Sequence, residues 1–132
     1  MPSLNGVRVM VVDDEQDART LLRRLLEGLQ AEVVTAGSAA EAIGLFTNQR
    51  PHVLVTDIGM PEEDGYELLR KVRAMEDGQP TTPAIALTAF ARSEDRKRAL
   101  MSGFQMHVAK PVDPVELTLV IASLAGQSGA KR

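Results

Sequence analysis

The chain has 132 residues, enough for one domain with its own core and too few for two ordinary ones. It has no cysteine, which excludes disulfides and thiolate metal centres; its net charge of -3, single tyrosine and lack of tryptophan do not suit a direct nucleic-acid binder. No apolar run reaches membrane-spanning length and no basic-then-apolar leader opens the chain, so a cytoplasmic location without membrane insertion is expected.

Short apolar runs alternate with helical periodicities. Val7 to Val12 is rich in β-branched residues and predicts a strand; Ala18, Leu21, Leu22, Leu25, Leu26 and Leu29 then recur at helical spacing. Glu32 to Thr35 predicts a second strand, and Ser38 with Glu41 three residues on predicts a capping box opening a second helix. His52 to Asp57 is the third strand, followed by a helix from about Asp64 with Leu68, Leu69 and Val72 turned inward. Ala84 to Thr88 is the fourth strand, Ser93 to Ser102 a helix with a thin apolar face, and Met106 to Ala109 the fifth strand. Asp113-Pro114-Val115-Glu116 carries a cap, a first-turn proline and a capping glutamate, and opens a last helix whose inward face is Leu117, Val120, Ile121 and Leu124. The domain is expected over residues 5–126, with 127–132 as a small, polar, disordered tail.

Five βα units in series imply an α/β fold, a doubly wound parallel sheet with helices on both faces. The first, third and fourth strands lack polar alternation, as strands buried on both sides do. In such sheets ligands bind at the carboxyl ends of the strands. Those ends carry Asp13-Asp14, Asp57, Thr88 and Lys110-Pro111. Singly, each has an ordinary reading as a cap, a strand residue or a strand exit. Together at successive strand ends they predict one crevice. Clustered carboxylates resist full ionisation unless a cation balances them, and oxygen donors of this kind suit Mg²⁺. Three negative charges against a divalent cation and Lys110 leave the crevice near neutral. A carboxylate there can attack phosphorus, with Lys110 steadying the phosphoryl oxygens and the Thr88 hydroxyl donating to them.

At Val9-Met10-Val11-Val12-Asp13-Asp14-Glu15, Thr56-Asp57-Ile58-Gly59-Met60-Pro61, Leu87-Thr88-Ala89 and Lys110-Pro111 the chain resembles the receiver domain of two-component response regulators and hybrid sensor histidine kinases. Two stretches, Asp57 to Pro61 and Gly103 to Pro114, look most like receivers attached to hybrid kinases. The resemblance implies a flavodoxin-like fold with strand order 2-1-3-4-5. It implies Asp57 as the phosphoacceptor, Asp14 and Asp57 as direct Mg²⁺ ligands, Asp13 acting through water, and a further ligand from the Gly59 carbonyl. It makes Thr88 the switch hydroxyl and Lys110 the partner of the phosphate, with a cis Lys110–Pro111 bond. A receiver takes its phosphoryl group from a histidine kinase or histidine phosphotransfer protein and changes its surface for a downstream protein. It is a signalling domain that assists its own phosphorylation and dephosphorylation.

Three residues before Lys110, where the family commonly has tyrosine or phenylalanine, stands His107, expected to be a solvated imidazole on an edge strand. Phe90 and Gly59, each two residues past a site residue, flank the expected phosphate position. The alternative is a receiver acting by protein contact without phosphorylation, which would lack an acceptor or metal ligand; none is missing. An aspartyl-nucleophile phosphohydrolase typically has a second aspartate two residues after its nucleophile, where this chain has Gly59.

Overall fold

The computed structural model describes residues 2–89 and 93–127. Ten elements alternate: β1 (Arg8–Val12), α1 (Gln16–Gly28), β2 (Glu32–Ala36), α2 (Ala39–Gln49), β3 (Val53–Asp57), α3 (Gly65–Met75), β4 (Ala84–Thr88), α4 (Ser93–Met101), β5 (Met106–Ala109) and α5 (Pro114–Gln127). All strand pairs are parallel and the sheet order is β2-β1-β3-β4-β5. The Lys110–Pro111 bond is cis.

The pleat explains both faces of the core. Val9, Val11, Val53, Val55, Ile85, Leu87 and Val108 point to one side, where Leu22 and Leu26 of α1 and Leu117 and Ile121 of α5 meet them. Met10, Val12, Leu54, Ala84 and Ala86 point to the other, against Phe46 of α2, Leu68 and Leu69 of α3, and Ala99 of α4. β3, central and covered on both faces, is buried at every residue. The register brings Val12, Thr56 and Ala86 side by side, so the carboxyl ends of β1, β3 and β4 finish almost flush.

Local chemistry sets the ends of the helices. Asp64 accepts from the Glu67 N–H at 2.9 Å and Glu67 reaches back to the Asp64 N–H, a complete capping box that starts α3 right after the β3 loop. At α2 only half of the expected box forms: Ser38 accepts from Glu41 N–H at 3.1 Å, but the Glu41 carboxylate takes the N–H of Gly37. Asp113 caps α5 by accepting from Val115 N–H at 2.9 Å. α5 runs through Gln127, one residue into the expected tail; residues 128–132 lie outside the described residues, as does Phe90. Among the described residues no helix is long and apolar enough to cross a membrane.

Candidate functional site

β1 delivers Asp13 and Asp14 to the carboxyl edge, and β3 delivers Asp57. Asp13 is completely buried, Asp57 is 6% exposed, and Asp14 lies open to solvent. One carboxylate oxygen from each lies within 4.8 Å of the other two. Lys110, just past β5, places its Nζ 3.2 Å from both Asp13 Oδ2 and Asp57 Oδ1. Its backbone N–H donates to the Thr88 carbonyl at 2.8 Å, which ties the lysine to the end of β4. Asp13, Asp14, Asp57, Thr88, Gly59 and Lys110 are therefore drawn to one edge, as the sequence predicts, and all but Asp13 line a crevice of about 530 Å³.

The three carboxylates are not equivalent. Asp13 Oδ1 accepts from Glu15 N–H at 2.9 Å while Oδ2 faces Lys110, so both oxygens are engaged. Asp57 Oδ1 faces Lys110 and takes a long 3.3 Å contact from Gly59 N–H. Burial raises the Asp57 pKa above the usual carboxylate value; the charge of Lys110 opposes this and that of Asp13 adds to it. Burial works against the charge on Lys110, but Asp57 and Asp13 outweigh it and its pKa also rises. The crevice thus holds more negative charge than its lysine balances. A hard divalent cation fits this donor set: Asp14 and Asp57 turn carboxylates into the crevice, and the Gly59 backbone follows the Asp57 strand end with open space around its Cα.

His107 does not behave as expected. Its Nε2 is buried and has no hydrogen-bond partner among the described residues, so the imidazole is not a solvated edge group. It pairs in register with Ala86, which packs with Ala99 and Phe104, and the pleat turns it to that same covered side. Sequence reasoning also missed Tyr66, Asp95 and Arg98, which line the crevice from α3 and α4. The Arg98 guanidinium carbon stands 4.1 Å from the Tyr66 ring centroid. No local spacing links the start of one helix to the middle of the next; only the packing of α3 beside α4 does.

An open parallel sheet in this order, with an acidic crevice and one lysine at its carboxyl edge, has the architecture of flavodoxin-like signalling domains. Residues 9–122 match the response regulator receiver domain, and the chain belongs to that family. It is 49% identical over 121 residues to an uncharacterized 14.6 kDa protein of Leptolyngbya boryana, covering 92% of each. It is 35% identical to hybrid signal transduction histidine kinase D of Dictyostelium discoideum, spanning 92% of this chain but 8% of the kinase. Against the probable transcriptional regulator ycf27 of Cyanophora paradoxa it is 37% identical and spans 49% of that protein. Among solved structures, it is similar to the receiver domain of the sensor histidine kinase PA1611 from Pseudomonas aeruginosa, determined with a magnesium ion in its active-site cleft. That likeness has a TM-score of 0.82 at 30% identity and covers 92% of this chain and 98% of the other. A Francisella response regulator receiver domain aligns with a TM-score of 0.85 at 27% identity, covering 92% and 98%.

Proposed function

We infer that the chain is a phosphoacceptor, taking a phosphoryl group from a histidine kinase or histidine phosphotransfer protein onto Asp57 and presenting an altered surface to a downstream protein in the cytoplasm. The observation that carries this reading is the half-satisfied Asp57: buried at a central strand end, held by one lysine, and open to a crevice rich in negative charge.

In the transfer, an Asp57 carboxylate oxygen attacks phosphorus. The new P–O bond forms as the P–N bond of the donor phosphohistidine breaks, and the imidazole keeps the electron pair. Asp14, Asp57 and the Gly59 carbonyl would hold Mg²⁺, which supplies positive charge to the crevice and to the phosphoryl oxygens. Asp13, engaged by Glu15 N–H and Lys110, shapes that site from behind. Lys110 moves its attraction from the carboxylate to the phosphoryl oxygens, and the hydroxyl of Thr88, which lines the same crevice, donates to them. The receiver unit spans residues 5–126 and assists its own phosphorylation and dephosphorylation by this positioning. The relative with the magnesium-bearing cleft favours the metal assignment.

The test is labelling by acetyl phosphate, with and without Mg²⁺, followed by intact mass. Wild type should label only with the metal, Asp57→Asn should not label, and Asp14→Ala should need far more Mg²⁺ than Asp13→Ala. Equal labelling of wild type and Asp57→Asn would overturn the assignment and leave the protein-contact alternative standing.

A further inference from the structure

Two cations stand in the wall of the acceptor crevice, Lys110 and Arg98, against Asp14, Glu15, Asp57 and Asp95. Lys110 is already committed, 3.2 Å from both Asp13 and Asp57. Arg98 makes no ion pair among the described residues. Its guanidinium lies over the Tyr66 ring at 4.1 Å, and Tyr66 stands edge-on to Phe104, with centroids 6.1 Å apart and planes at 75°. The positive group of α4 is thus parked on an aromatic face of α3, at the rim of the crevice into which the acceptor opens. Such a contact is weak at an exposed site, and Arg98 is exposed.

We propose that Arg98 is a second phosphoryl-responsive cation: stacked on Tyr66 before transfer, it turns to the phosphoryl oxygens afterwards, and is the positioning residue that conveys the new charge to α4. This rests on the acceptor reading. Phosphorylation adds about one negative charge and three strong acceptor oxygens. Lys110 divides its attraction between two carboxylates, so the added charge exceeds what it can balance. A guanidinium suits both states, since its plane stacks on a ring and its fork meets phosphoryl oxygens with two parallel hydrogen bonds. Asp95, one turn earlier on α4, also lines the crevice, so the same charge that draws Arg98 inward repels Asp95 and turns the helix rather than merely pulling it. α4 is lightly held: Ala99 is its one buried residue, while Leu100 and Met101 are exposed. An element with so little buried apolar surface is displaced at small cost.

The chain supplies its own reporter, because Tyr66 is its only tyrosine and it has no tryptophan. The experiment follows Tyr66 fluorescence and near-ultraviolet absorbance of the full chain during labelling by acetyl phosphate with Mg²⁺, while intact mass counts the phosphoryl groups. A second arm uses beryllofluoride in place of acetyl phosphate. In wild type the Tyr66 signal should change in proportion to labelling. Arg98→Gln, compared at equal labelling, should start from the unstacked signal and lose the response, and Arg98→Lys should restore part of it. A labelled wild type with an unchanged Tyr66 signal, or an Arg98→Gln protein that responds fully, would overturn the proposal and leave the acceptor reading intact. A wild type that takes no label would overturn both.

Discussion

At the amino edge of the sheet the Arg8 guanidinium pairs with the Glu32 carboxylate and donates to the Gln49 carbonyl, and the Arg8 backbone N–H donates to His52 Nδ1 at 2.9 Å. Nearby Glu76 is buried, yet one oxygen meets Arg73 at 2.7 Å and the other takes the Thr82 N–H at 2.6 Å. At the carboxyl edge three carboxylates gather, and the one close lysine pairs with two of them, Asp13 and Asp57. Both edges bring carboxylates and cations together, but one pairs its charges and the other leaves negative charge in excess. Buried polar groups are normally paired, so a deliberate surplus marks where a further charged species belongs.

The sharpest way to break the contrast is Lys110→Ala. It leaves Asp13 and Asp57 facing each other without a cation. The expected loss of stability is somewhat under the roughly 3–5 kcal/mol typical of one partner deleted from a fully buried pair, because the Lys110 side chain is 25% exposed. Urea denaturation in metal-free buffer measures it, and added Mg²⁺ should recover much of the loss. Gly65→Ala comes next. A Cβ there would lie 2.6 Å from the Asp57 carbonyl oxygen and 2.8 Å from Ile58 Cδ1, so α3 and the loop after β3 must part. The expected cost is about 1–3 kcal/mol, read by the same titration together with slower labelling of Asp57.

Asp57→Asn should act in the opposite direction. The Asp57 pKa is raised by burial, so the folded state holds its proton more tightly than the unfolded chain does. That contribution is present at low pH and is lost as pH rises through the raised value. Near neutrality and without metal, the neutral amide should therefore melt higher than wild type, and melting curves from pH 4 to 8 should show a shallower decline for the variant. A lower melting point in the variant at every pH would mean that the pairing with Lys110 outweighs burial. Glu32→Gln should have the smallest effect. Its hydrogen bond and ion pair with Arg8 hold Glu32 below the usual carboxylate range, so its support is present at neutral pH and fades in acid. The group is exposed, and the urea midpoint should hardly move.

The carboxyl edge was legible because each strand announces itself as a β-branched or apolar run, and its last residue can be read off directly. Asp13, Asp57, Thr88 and Lys110 needed only the rule that parallel strands end together. His107 was misjudged because an edge strand reads as exposed, whereas the packing of Ala86 against Ala99 and Phe104 shows its inner side to be covered. The sequence of α4 hides that cover: its buried contribution is a single alanine, too little to produce a visible apolar stripe. Tyr66 and Arg98 escaped for a related reason. Their partnership is a crossing of two helices, which leaves no periodic trace in either.

The contact between Asp13 and Lys110 spans 97 residues of chain. Pairings so distant form late and slowly, because a long loop must close before they are gained. A chain emerging from the ribosome therefore carries Asp57 well before the lysine that steadies it. If Asp57 is the acceptor proposed above, phosphorylation would report complete folding: a copy truncated before β5 lacks Lys110 and should label poorly with acetyl phosphate.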